Sequence, residues 1–266
     1  MANAGESEQT VSGGKTIAGT ADNAGGPDGA ILALIFAAGT RPDIDALAEL
    51  SRRDSLATPF ALSHVPDGEN WAELLAAGLS FDCRGVAPGQ PAAFPGSGAM
   101  LGLHEIPAGE TIVLQPAPHL AEGRGMLPIV RVLAGLGVQL ASLSGVLAVH
   151  WVPARCWMTP KYFCGVIETW LEGGVFPSLG LTSLQREHDG AIVSAGLDYL
   201  IGQELRFEPD RRLVPAAAAR IAARLTNELV ATGPLQREVE VTGPDGEVLK
   251  AEPVRRGRQI RLTLQR

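Results

Sequence analysis

The order in which helical and strand patterns follow one another limits the fold of this chain more than any other feature. Helical patterns stand singly between hairpins and strand-like segments, and they do not alternate strictly with strands. Strict alternation is typical of a doubly wound parallel sheet, so this order favours an α+β fold. We therefore expect mixed or antiparallel sheets with helices packed on one face. Strand–helix–strand units recur without an exact repeat, and a duplicated ferredoxin-like plan is one way to arrange them.

The clearest helices are predicted from apolar spacing and from residues that begin or end a helix. Residues 159–174 give the best case, because Thr159 can cap a helix, Pro160 fits its first position and two glycines end it. Residues 126–143 and 216–230 repeat apolar side chains every three or four positions. All three segments are therefore expected to be helical.

Two more helices are predicted closer to the start of the chain. Thr40 and Pro42 supply a cap and a first-turn residue for a helix through residues 43–50. Residues 70–79 carry an apolar stripe that predicts another helix. This stripe consists of Trp71, Leu74 and Leu75.

The remaining ordered segments are predicted to be strands. They occupy residues 31–38, 58–65, 99–105, 111–117 and 144–151. The first is continuously apolar, which is typical of a strand covered on both faces. Those at 99–105 and 111–117 are expected to be antiparallel neighbours, joined by a turn that contains Pro107 and Gly109.

Two hairpins and a last strand are predicted toward the C-terminus. Asp-Gly pairs at residues 188–190 and 244–246 favour tight turns, because glycine accepts the positive φ angle that such turns need. Residues 258–266 alternate apolar and polar side chains, which predicts a strand with one exposed face.

These patterns divide the chain into three parts. Residues 1–28 are rich in small and polar residues without apolar periodicity, so we expect a disordered N-terminal tail. Residues 29–195 form the predicted α+β main domain. Residues 196–266 form a predicted helix and hairpin subdomain packed on it.

Composition and charge exclude several classes of protein. The longest apolar run, residues 30–38, is too short to span a bilayer, and the N-terminus has no secretory pattern. We therefore expect a cytoplasmic protein without a membrane partner. The net charge of −7 opposes nonspecific nucleic-acid binding, so no nucleic-acid partner is expected. Three cysteines are an odd number for a disulfide framework and are expected to be reduced.

Motifs for common cofactors and catalytic sites are absent. The chain has no GxxxxGK[ST] or GxGxxG phosphate motif and no GxSxG nucleophile turn. Its histidines and cysteines lack the short spacings of usual zinc sites. No cofactor and no metal are therefore predicted, and any site has to be assembled from residues far apart in the sequence.

Five residues are candidates for such an assembled site. His104 and Glu105 at one strand end, His119 after the next strand and His150 on a later strand are the grouping that a hairpin can bring together. Packing or hydrogen-bonding roles are favoured for these histidines. Cys156 with His150 as its base is the alternative catalytic arrangement, although a free cysteine more often packs in a core.

Three tryptophans lie close in sequence to the candidate pair of Cys156 and His150. Trp151 and Trp157 flank the segment between His150 and Cys156, and Trp170 lies on the adjoining helix. They could line a pocket, but core packing is the favoured interpretation because large aromatic side chains dominate ordinary packing.

The C-terminal part of the chain resembles a bacterial family. SAGLDYLIGQELRFEP at residues 194–209, followed by an Ala-rich helix and a PDG hairpin, is similar to the domain of unknown function 4261. The preceding AVHWVPARCWMTPKYF at residues 148–163 resembles the region that accompanies that domain, and residues 196–197 and 202–205 carry most of the similarity. The resemblance implies a bacterial cytoplasmic α+β protein. It implies no site residue, not even Gln203 or Glu204.

Two functions are consistent with these patterns. Apolar segments are plentiful and convergent reactive groups are not, which favours a noncatalytic binding or interaction protein that self-associates or binds a protein partner. The alternative is a small-molecule hydrolase or transferase whose site is built from distant His, Glu or Cys residues.

Overall fold

Two mixed sheets and their helices make up the described part of the chain. The computed structural model describes residues 29–54, 56–208 and 210–265. The tail predicted at residues 1–28 lies outside the described residues. The α+β class is confirmed, because one sheet has eight strands, the other has six, and each packs against helices.

The eight-stranded sheet is built from the first part of the chain. Its strands are β1 (Leu32–Phe36), β2 (Ala61–His64), β3 (Trp71–Ala76), β4 (Leu79–Arg84), β5 (Ala99–Leu101), β6 (Glu110–Pro116), β7 (Val146–Trp151) and β8 (Cys156–Met158). Their spatial order is β2-β3-β4-β6-β1-β7-β8-β5, and only the β5–β8 pair is parallel. Strand β1 lies inside the sheet and all five of its residues are buried, as its continuous apolar run predicts.

Helices cover one face of this sheet. Helices α2 (Leu127–Ala141) and α3 (Pro160–Leu171) share one apolar core with Leu32, Leu34 and Phe36 of β1. The opposite face is covered by the connection between β5 and β6, whose apolar side chains pack on Ile35 and its neighbours. The predicted placement of helices on one face is therefore confirmed for this sheet.

The six-stranded sheet is built from the second part of the chain. Its strands are β9 (Ser183–Arg186), β10 (Ile192–Ala195), β11 (Glu204–Phe207), β12 (Val239–Thr242), β13 (Val248–Val254) and β14 (Gln259–Leu264). Their order is β12-β13-β14-β11-β10-β9, and only β11 and β14 run parallel. Helices α5 (Leu197–Ile201) and α6 (Pro215–Thr232) contribute to its core. The two sheets differ in strand number and order, and no duplicated ferredoxin-like unit is seen in the described ranges.

The division between the sheets falls earlier than the predicted boundary at residue 196. Strands β9 and β10 form a hairpin, as predicted, but β10 also pairs with β11. The second sheet therefore begins at Ser183, after the short helical turn α4 (Ser178–Leu181).

The helix predicted at residues 70–79 is wrong, because this segment forms the hairpin of β3 and β4. Ala77 and Gly78 both have positive φ angles, 50° and 77°, as a two-residue hairpin turn requires. Buried and accessible residues alternate along β3, so Leu74 is fully buried whereas Leu75 is 40% exposed. The predicted apolar stripe therefore divides between two faces of a strand.

Two other local predictions also need correction. Strands β5 and β6 are not antiparallel neighbours: β5 pairs in parallel with β8 at the sheet edge, whereas β6 lies between β4 and β1. Helix α1 (Ile44–Ser51) is capped by Asp43, whose side chain accepts a hydrogen bond from the Ala46 amide at 2.8 Å, and not by Thr40. None of the described helices is long and apolar enough to cross a membrane.

Candidate functional site

A cleft of about 920 Å³ lies between the two sheets, and we call it the inter-sheet cleft. The first sheet contributes His150 and, from the turn between β7 and β8, Val152, Pro153 and Arg155. The second contributes the β9–β10 hairpin and Glu204 of β11, and residues 95–97 close one side. Concave sites of this size suit small molecules, so this cleft is the candidate site.

Close contacts with the second sheet hold the β7–β8 turn in place beside the cleft. The hydroxyl of Ser183 donates a hydrogen bond to the carbonyl of Ala154 at 2.8 Å. Gly196 has a φ angle of +85°, and a Cβ atom added there would lie 2.8 Å from the Ala154 nitrogen. This contact leaves no room for a side chain, so a glycine is required where the two sheets meet.

Three arginines supply the positive charge in the lining of the cleft. Arg124, Arg155 and Arg186 are exposed residues of its lining. None of them forms an ion pair with another residue of the described ranges. Glu187, an acidic residue of the lining, already pairs with Arg206. Unpaired guanidinium groups in an acidic chain make the cleft suitable for an anion.

A pair of carboxylates lies on the other side of the cleft. Glu204 accepts hydrogen bonds from the Ser194 hydroxyl and from the Gly196 amide, the second at 2.7 Å. The Leu205 amide in turn donates to the Ser194 hydroxyl at 2.7 Å. Burial and the neighbouring Asp198 carboxylate raise the pKa of Glu204 to about 7. Glu204 therefore changes charge near neutral pH.

Glu204→Gln is expected to remove a pH dependence of stability. The pKa of Glu204 is about 7 in the folded protein against an ordinary value of 4.5, so between these values the folded state keeps a proton that the unfolded chain loses. The contribution of Glu204 to the free energy of unfolding therefore falls as pH rises through this window and stays low above pH 7. As pH rises from 4.5 to 7.5, the melting temperature of Glu204→Gln should rise relative to that of the wild type. A difference that does not change with pH would contradict the raised pKa.

His150 is the candidate from the sequence that lines the inter-sheet cleft. Its side chain is buried, and neither ring nitrogen has a hydrogen-bond partner among the described residues. Its ring lies 4.4 Å from that of Trp157, between centroids. Burial lowers the pKa of His150 to about 4, so the imidazole is neutral at physiological pH.

The other histidine candidates are not brought to this site. His104 and Glu105 are exposed in the connection after β5, and His119 is exposed in the 3-10 turn Pro118–Gly123. None of the three lines the cleft. Among the residues that the structure describes, no group of three or more His, Cys, Asp or Glu side chains could hold a metal ion.

The proposed pairing of Cys156 with His150 is ruled out by strand register. Cys156 lies opposite Trp151 and His150 lies opposite Trp157 in the antiparallel β7–β8 pair. Because opposite residues share a face and successive residues alternate, Cys156 and His150 project to opposite faces of the sheet. Burial raises the pKa of the Cys156 thiol to about 12, so it is protonated at neutral pH.

The three tryptophans are divided in the same way. Trp151 belongs to the core on the helical face and meets Tyr199 edge-on. Trp170 belongs to that core as well and packs against Phe176. Trp157 alone of the three lies beside His150, on the other face, so the tryptophans do not form one pocket wall.

Sequence reasoning missed Glu204, Asp198 and the arginines of the cleft. Glu204 lies within residues 202–205, but a single acidic residue in a strand pattern is no signal for a site. The signal in the sequence was a pair of carboxylates, those of Asp198 and Glu204, on either side of Gly202. The helix that ends there is too short to be recognised from periodicity.

No protein-family model matches the chain, and neither a curated protein nor a solved structure matches it. The resemblance to the domain of unknown function 4261 therefore stays a prediction.

Proposed function

We propose that the chain is a noncatalytic binding protein that takes a small anionic ligand into the inter-sheet cleft. The observation that carries the proposal is that Arg124, Arg155 and Arg186 all line one cavity and have no ion-pair partner in the described ranges. Arginine binds phosphate and carboxylate groups through two parallel hydrogen bonds, which provides both orientation and affinity.

The backbone at Arg155 supports a role for its side chain. Its φ angle of +48° lies in the left-handed region, which costs a non-glycine residue about 1 kcal/mol or more. Glycine would adopt this conformation without that cost. Such conformations are enriched at functional sites, and of the described non-glycine residues with positive φ angles only Arg155 lines the cleft.

Two observations favour binding without catalysis. Both oxygens of Glu204 already accept hydrogen bonds from Ser194 and Gly196, so this carboxylate braces the β10–α5 turn. Cys156 and His150 lie on opposite faces of the first sheet and cannot act as nucleophile and base.

A small-molecule hydrolase or transferase is the second candidate, and the pKa of Glu204 favours it. A carboxyl group with a pKa of about 7 can act as a general base or acid at neutral pH. In that case Glu204→Gln would abolish turnover of a bound substrate, whereas the binding proposal expects the variant to retain the ligand.

Arg155→Gly is expected to weaken anion binding without lowering stability. The change removes one guanidinium group from the cleft and relieves the left-handed backbone, so phosphate affinity should fall on the order of tenfold. The free energy of unfolding should be unchanged or higher by about 1 kcal/mol. Calorimetric titration with inorganic phosphate and pyrophosphate at low ionic strength measures the first effect, and urea denaturation the second.

Arg256→Gly is the matched control. Arg256 is also exposed and also has a left-handed backbone, with a φ angle of +59°, but it lies outside the cleft. The control makes the same change in charge and backbone, so it should leave phosphate affinity unaltered. Equal effects of the two substitutions, or no binding of either anion to the wild type, would contradict the proposed function.

A further inference from the structure

His150 brings unused hydrogen-bonding capacity to the wall of the inter-sheet cleft. Only 1% of the residue is exposed, and neither Nδ1 nor Nε2 has a partner in the described part of the chain. Buried polar side-chain atoms are nearly always hydrogen-bonded, so two unpaired nitrogens on one ring need an explanation. A ligand that reaches the ring would supply the missing partner.

The chemistry of the ring selects the kind of group that it would bind. A neutral imidazole offers one N–H donor and one acceptor nitrogen, and it attracts an anion less than an arginine does. A hydroxyl group both donates and accepts, so it can bond to either nitrogen. The contact with Trp157, at 4.4 Å between ring centroids, limits the orientation of the His150 ring and therefore the direction of its hydrogen bonds to a ligand.

Other groups of the cleft also fit a hydroxylated ligand. The carboxylate of Asp198 can accept hydrogen bonds from hydroxyl groups, and Ser97 adds a hydroxyl of its own. Three arginines suit a doubly charged anion better than a single carboxylate, and a phosphate ester carries close to two charges at neutral pH.

We infer that the cleft binds a phosphate ester of a sugar or other polyol, with the phosphate on the arginines and one hydroxyl on His150. This inference rests on the proposed function and narrows its ligand to one chemical class. The volume of about 920 Å³ is sufficient for a hexose phosphate.

His150→Leu tests the contact. Leucine is close to histidine in volume but carries no nitrogen, so the variant should be at least as stable as the wild type, because two unpaired buried nitrogens are removed. Calorimetric titration should show that glucose 6-phosphate binds the wild type more tightly than inorganic phosphate does. The substitution should weaken binding of glucose 6-phosphate on the order of tenfold and leave that of inorganic phosphate unchanged.

The outcomes separate this inference from the proposed function. If neither anion binds the wild type, the proposed function fails and the inference fails with it. If inorganic phosphate binds but glucose 6-phosphate binds no more tightly, or if His150→Leu weakens both equally, only the inference is overturned.

A measurement on the wild type covers the case in which His150→Leu does not fold. The ¹⁵N spectrum of histidine-labelled protein reports both ring nitrogens, and the His150 signals are those absent from the spectrum of His150→Gln. Saturating glucose 6-phosphate should shift these signals, and inorganic phosphate should shift them less. Unchanged His150 signals in saturating glucose 6-phosphate would refute the contact.

Discussion

Gly196→Ala is expected to lower the free energy of unfolding by about 3 kcal/mol. Gly196 has a φ angle of +85°, which disfavours any residue with a Cβ atom. The added Cβ would also lie 2.8 Å from the nitrogen and 2.9 Å from the Cα of Ala154. These are backbone atoms of the β7–β8 turn and cannot rotate away, so the two sheets would have to separate locally.

Gly202→Ala provides the matched control for this effect. Gly202 lies at the other end of α5 with a φ angle of +77°, but nothing lies within 4 Å of an added Cβ atom. The control carries only the cost of the backbone conformation, about 1 kcal/mol. Urea denaturation of both variants measures the difference. Equal losses of stability would show that the contact between Gly196 and Ala154 does not hold the sheets together.

Gly196→Ala should also weaken anion binding. The β7–β8 turn carries Arg155 into the cleft, and Gly196 contacts Ala154 of this turn. A displacement of the turn moves the guanidinium group relative to Arg124 and Arg186. Loss of phosphate affinity in Gly196→Ala but not in Gly202→Ala would connect the sheet contact to the geometry of the site.

Elements whose signals lie within one short segment could be predicted from the sequence. In α3 the Thr159 side chain accepts a hydrogen bond from the Tyr162 amide, as its predicted role as a cap requires. The same helix buries Phe163, Ile167 and Trp170, which lie three or four positions apart and therefore share one face. A cap and its helix are neighbours in sequence, so no distant contact is needed to recognise them.

The hairpin of β3 and β4 shows where local patterns fail. Trp71, Leu74 and Leu75 fit a helical stripe, but six residues are too few to distinguish a period of 3.6 from a period of two. Strand pairing decides the outcome: β3 pairs with β4, which pairs with β6, and one face of β3 is thereby buried while the other stays accessible. The partner strand lies far along the chain, and apolar spacing carries no information about it.

The residues of the inter-sheet cleft were harder still to predict from the sequence. Of the five candidates, His150 lines the cleft, and its relevance comes from unpaired nitrogens that no sequence pattern reveals. Cys156 is close to His150 in sequence, but the register places the two on opposite faces. Arg155 and Glu204 come from different sheets, so their common site depends on how the sheets meet at Gly196.

Gln203→Met is the second substitution from which we expect a large loss, about 3 kcal/mol of unfolding free energy. Gln203 is only 4% exposed, and its side-chain nitrogen donates to the carbonyls of Leu235 and Gly257 at 2.9 and 2.7 Å. Its side-chain oxygen accepts from the Leu235 amide at 2.7 Å. Methionine keeps the length of the side chain but leaves these three backbone groups without their partner, and an unsatisfied group costs about 1–3 kcal/mol.

Gln236→Met separates this effect from the introduction of a methionine. Gln236 is exposed and makes one long hydrogen bond of 3.5 Å to the Pro234 carbonyl, so its replacement should change stability by less than about 0.5 kcal/mol. Urea denaturation gives both values, and hydrogen exchange at the Leu235 amide should accelerate in Gln203→Met alone. Because Gln203 directly precedes Glu204, loss of its hydrogen bonds should also leave the Glu204 carboxylate less firmly placed in the cleft. Similar stability of the two variants would mean that water satisfies the three backbone groups as well as Gln203 does.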